Sequence, residues 1–177
     1  MGSYYYLVTS LPMLRYDSPS PITVEQFLAA CKSNLGSGDY HQVQCALDGT
    51  PSGNRFLKKY QTFCQMVQSE LSEQRAHKLG MSPETYRNDG AKSYVIAEAV
   101  RKALADENVL DGEMALIVLK WNYLDEMSAQ HVFDLDGLLA YALKLGIITR
   151  KSLFTQEAGN AEFQRLFQQL ESDIKSM

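Results

Sequence analysis

The chain has 177 residues, 45% of them hydrophobic and 21% charged. That is the composition of one globular domain over 1–177 rather than of a disordered tail or fibrous repeat, and no apolar run approaches the roughly 18 residues of a membrane-spanning helix. The net charge of −4 gives no overall attraction to nucleic-acid phosphates, and the acidic excess sits in 111–177.

Tyr4-Tyr5-Tyr6-Leu7-Val8-Thr9 combines strand-forming residues with no strand-like neighbour, which predicts a short extended N-terminal segment laid against helices. Pro19 and Pro21 hold 17–21 as a loop. At Thr23 the signals change: Thr23 and Gln26 form a capping box, Ile22 and Phe27 a hydrophobic staple, and Val24, Phe27, Leu28, Cys31 and Leu35 one apolar helical face that Gly36 should close. A short helix is expected over about 39–47, ended by Asp48-Gly49, with turn chemistry in Thr50-Pro51-Ser52-Gly53.

Phe56, Tyr60, Phe63, Cys64, Val67 and Leu71 then recur at steps of three and four, the mark of a long amphipathic helix. Gly80 should stop it, Ser82-Pro83 should start a short helix, and Asn88-Asp89-Gly90 should break the chain again. Val95, Ile96, Ala99, Val100 and Ala103 define another helix. Asp111 is expected to cap the next segment, whose run 114–119 fits either a buried strand or a helix; its continuation through Trp121, Leu124 and Met127 favours helix. Leu135, Leu138, Leu139, Ala142 and Leu143 give one further helical face, and Phe163, Leu166, Phe167, Leu170 and Ile174 the last. Short connections predict an all-α, single-domain antiparallel assembly. Phe27, Leu28, Phe63, Val67, Leu116, Leu119, Leu139, Leu143, Phe163 and Leu170 should share one buried core.

Catalytic patterns are scarce. The three cysteines, Cys31, Cys45 and Cys64, form no CxxC pair and read as reduced residues of a cytoplasmic protein, and no secretion signal is expected. His41, His77 and His131 have no zinc spacing, there is no GxSxG elbow, and 33–38 lacks the lysine of a phosphate-binding loop. Asp134-Leu135-Asp136-Gly137 starts like a calcium loop, but its glycine comes too early, so Asp134 or Asp136 is better read as a helix cap. No metal or cofactor is therefore expected. A metal-dependent hydrolase would have to be built from Asp125, Glu126, His131, Asp134 and Asp136. Ten tyrosines, three of them consecutive, suit a protein-binding surface better than an active site.

Three stretches, Tyr4 to Pro12, Pro21 to Phe27 and Phe133 to Gly146, resemble a small uncharacterised bacterial family encoded in V-type ATPase operons of spirochaetes, chlamydiae and Bacteroidetes. The last stretch also looks distantly like the helical C-type subunit, which couples the rotor ring to the central stalk. That subunit repeats a tyrosine followed by lysine, glutamates and arginine; Tyr141 and Arg150 match it, Lys144 is displaced by one position, and Gly146, Ile147 and Ile148 replace the glutamates. The resemblance implies a non-catalytic accessory, coupling subunit or assembly factor of the ATPase, in the cytoplasm or peripheral to the inner membrane through that complex. The expected contact residues are Tyr4, Tyr5, Tyr6, Tyr141, Lys144 and Arg150. An adaptor unrelated to ATPases would have the same fold.

Overall fold

The computed structural model describes residues 2–81, 90 and 92–176, and among them the apolar periodicities become eight helices and no strand. These are α1 Gly2–Ser10, α2 Val24–Asn34, α3 Ser37–Asp48, α4 Arg55–Lys78, α5 Tyr94–Ala105, α6 Val109–Ser128, α7 Leu135–Lys151 and α8 Gln156–Ser176. The expected all-α class holds, and the run 114–119 is helical. Ser82, Pro83, Asn88 and Asp89, where a short helix and a break were expected, lie outside the described residues.

The N-terminal segment departs from its expected extended form: Tyr4, Tyr5 and Tyr6 lie in α1. Intrinsic strand preference is a weak term that tertiary packing overrides. Helical geometry carries Leu7 to 1% exposure in the core, and lets the Tyr4 hydroxyl donate to Asp39 on α3. The hydroxyls of Thr9 and Ser10 donate back to the carbonyls of Tyr5 and Leu7, 2.8 and 2.7 Å away.

Local end chemistry explains the helix boundaries. The capping box at α2 forms as expected: Gln26 N–H donates to the Thr23 hydroxyl at 3.2 Å, and Thr23 N–H to the Gln26 side-chain oxygen at 3.0 Å. Gly36 does not close α2; Leu35 does, and Gly36 is the extended residue that opens α3. At the end of α4, Gly80 takes the left-handed φ of +65°, while Met81 N–H bonds the Ala76 carbonyl and Gly80 N–H that of His77, a Schellman ending. Asn108, not Asp111, caps α6: its side-chain oxygen accepts from Leu110 N–H at 3.1 Å, and its amide nitrogen holds the Asp111 carboxylate at 2.8 Å. Asp134 caps α7, accepting from Gly137 N–H at 2.9 Å.

Two apolar clusters result where one was expected. The first gathers Leu7, Phe27, Cys31, Val43, Leu124, Leu138, Leu139 and Leu145 from α1, α2, α3, α6 and α7, together with Phe56 and Leu57 at the start of α4. The second gathers Phe63, Val67, Leu71, Ile96, Val100 and Leu116 from α4, α5 and α6. Helices α4 and α6 contribute to both. Of the expected core, Phe27, Phe63, Val67, Leu116 and Leu139 are buried, and Leu28, Leu119 and Leu143 are half-buried at its edge. Phe163 and Leu170 are not core residues: both are exposed, because every described side chain of α8 points into solvent. Ile174, expected on the same stripe, has a side chain outside the described set.

Candidate interaction surface

Helix α7 organises the surface. Where its first turn meets the preceding connection, a Cβ on Gly137 would stand 2.4 Å from the His131 carbonyl oxygen, so only glycine lets the connection close down on the helix. The Asp134 carboxylate then bridges two donors, Gly137 N–H through one oxygen and the His131 ring nitrogen Nδ1, 2.6 Å away, through the other. The hydrogen bond to Asp134, helped by its charge, raises the His131 pKa above the usual value. For Asp134, burial works upward, but the hydrogen bonds from His131 and Gly137 outweigh it and leave the carboxyl below the usual value.

This tight connection turns Val132 and Phe133 outward, 57% and 48% exposed. The Tyr5 ring lies 4.9 Å from that of Phe133, and Tyr6 meets Tyr5 edge-on at 5.8 Å. With Tyr5 and Tyr6 themselves 51% and 71% exposed, the four residues make an exposed apolar, mostly aromatic patch. Phe133 and Val132 were not among the expected contact residues, although an apolar pair immediately before a capping aspartate was a visible signal: neither belongs to a helical stripe.

Three of the other expected contact residues make bonds within the chain. Tyr4 is tied to Asp39, and burial together with that carboxylate pushes its pKa up to about 12. Tyr141 lies with its ring 5.3 Å from Phe27, and its hydroxyl donates to the Pro12 carbonyl at 2.8 Å; burial pushes its pKa up to about 12. Lys144 bonds Asp125 and lies 5.4 Å from the centre of the Trp121 ring. These three brace the fold. Residues 11–17 form a strap over α6 and α7, fastened by Tyr141 and by Lys151, whose ammonium donates to the Tyr16 carbonyl at 2.7 Å and sits 3.9 Å from the ring centre. Under the strap is a cleft of about 710 Å³ that brings together Trp121, Asp125, His131, Tyr141 and Lys144.

The carboxylates of the hydrolase reading are dispersed. Asp125 is engaged by Lys144, Glu126 borders a different cleft beside Phe63 and Tyr123, and Asp136 sits in the first turn of α7. Among the described residues no three His, Cys, Asp or Glu side chains converge as a metal site. Arg150 is exposed on the rim of a groove of about 590 Å³ between α3, α4, α6 and α7. Cys31 and Cys45 are buried, Cys64 is half-buried, and all three are free; burial alone raises the Cys31 thiol to about 12.

The three stretches carrying the sequence resemblance come together here. Tyr5 of the first meets Phe133 of the third, while Tyr141 of the third joins Pro12 of the first to Phe27 of the second. A family model described as "Protein of unknown function (DUF2764)" matches residues 94–174, which takes in α5, α6, α7 and most of α8, and Phe133 but not Tyr5 or Tyr6. No curated protein and no solved structure matches the chain.

Proposed function

We propose that this protein is a non-catalytic accessory, C-like coupling subunit or assembly factor of a V-type ion-translocating ATPase, binding the central stalk or rotor ring from the cytoplasmic side. The observation that carries a binding role is the exposed cluster of Tyr5, Tyr6, Val132 and Phe133. Aromatic rings bury a large area at small conformational cost and dominate the energetics of interfaces. The ATPase as partner rests on the sequence resemblance, whose first and third stretches supply Tyr5, Tyr6 and Phe133 of this cluster. Attachment to a membrane would come through the complex: no helix among the described residues is long and apolar enough to cross one.

Recovery of ATPase subunits by the tagged protein from its native cells, in mild detergent, tests the reading. Tyr6→Ala and Phe133→Ala remove exposed rings at little cost to the fold, and each should cut recovery by about fivefold or more, the loss of an interface anchor worth over roughly 1 kcal/mol. If wild-type protein recovers no ATPase subunit while a rotor subunit tagged in parallel does, the ATPase assignment fails.

A further inference from the structure

Helix α8 presents a face that nothing among the described residues covers. Phe163, Leu166, Phe167 and Leu170 share one side at steps of three and four, yet are 68, 48, 54 and 59% exposed. An apolar stripe of this kind on a soluble body marks a docking element. The groove between α3, α4, α6 and α7 has the matching deficit: half-buried Leu47, Ile117, Leu143 and Ile147 line it, and Gly146 leaves open space where a side chain would stand.

Length and charge agree. The stripe from Phe163 to Leu170 covers about 10 Å of helix and the groove face of α7 from Ala142 to Arg150 about 12 Å, at 1.5 Å per residue. Lys120 and Arg150 stand on the groove rim and, among the described residues, neither is in an ion pair. On α8, Glu162 and Glu171 flank the stripe on either side, whereas Arg165 falls on the opposite face. Arg165 bonds Glu162 on α8 and Arg75 bonds Glu113 in the groove, which leaves Glu171 on the helix facing a rim where Lys120 and Arg150 outnumber Asp48, so the remaining charges are opposite in sign.

The helix does not fit its own groove. Residues 152–155 join α7 to α8, and folding back there would lay 157–165 against the groove face of α7, with Phe163 as the only large apolar residue in that stretch and Leu166, Phe167 and Leu170 carried past its end. A second copy has no such tether. We infer that α8 of one protomer docks in the groove of another, and that the exchange is reciprocal about a two-fold axis. This rests on surfaces separate from the aromatic patch, so its failure leaves the proposed ATPase role standing.

The test is the solution mass of the full-length chain by light scattering across a concentration series. Wild type should reach twice the 19.9 kDa of one chain. Phe167→Asp, which spoils the stripe, and Gly146→Gln, which fills the groove from a position with nothing within 4 Å, should each return the mass to one chain while helical circular dichroism is unchanged. An equimolar mixture of the two variants should regain dimer, since one intact helix and one intact groove remain per pair, and that recovery also shows that both variants fold. A wild-type monomer at the highest soluble concentration overturns the inference, whether α8 then lies free, folds back or awaits another protein. A Gly146→Gln variant that remains dimeric also overturns it, by showing that the helices pair with each other.

Discussion

At the scale of single residues, Gly137 and Gly146 in α7 give opposite expectations from the same change. A methyl at Gly137 meets a backbone carbonyl oxygen at 2.4 Å, which cannot rotate away, so Gly137→Ala should destabilise by about 1–3 kcal/mol. Gly146→Ala enters open space and should stabilise the helix by about 0.5–1 kcal/mol. Denaturant melts of the two variants check both signs. The bond between His131 and Asp134 makes stability depend on pH in a defined window. The raised His131 pKa means that its contribution is complete below the ordinary 6.5 and is lost as pH rises through the raised value. The lowered Asp134 pKa means that its contribution is complete above the ordinary 3.8 and is lost as pH falls through the lowered value. The stability difference between wild type and His131→Ala should therefore be largest between pH 3.8 and 6.5 and shrink above it. A difference that stays flat to pH 9 would show that the bond carries no charge.

At the scale of elements, Thr23→Ala removes the acceptor for Gln26 N–H at the start of α2 and should cost about 1 kcal/mol in chemical denaturation. This box was legible because all its atoms lie within four residues, as do those of the Asp134 cap, and the Gly80 ending spans only six. Non-local decisions were not legible in the same way. Tyr4, Tyr5 and Tyr6 read as extended because their propensity is local, while the Leu7 burial and the Asp39 bond that favour a helix involve partners far along the chain. The stripe on α8 was found correctly as a helical face, but periodicity says that a face is apolar and not what covers it. Phe163 and Leu170 were accordingly placed in a core they do not reach. The aromatic patch was half legible: Tyr5 and Tyr6 could be named, whereas Phe133 joins them only through a helix–loop contact that no spacing rule encodes.

At the scale of the whole molecule, α4 and α6 thread both apolar clusters, so the two should melt together. Phe63→Ala in the second cluster should cost about 3–5 kcal/mol and move the fluorescence transition of Trp121, the single tryptophan, as far as the transition followed by circular dichroism. Separate midpoints would reveal two independent units. The strap over α6 and α7 sets an order of events during synthesis. Its two fastenings join residues 129 and 135 positions apart, Pro12 to Tyr141 and Tyr16 to Lys151. Pro12 and Tyr16 must wait until Tyr141 and Lys151 have been made, on the order of ten seconds later at about 5–20 residues per second. During that interval the three tyrosines and Leu7 are open to chaperones, and nascent chains arrested before Lys151 emerges should be cut by protease within 11–17, whereas released full-length protein should resist.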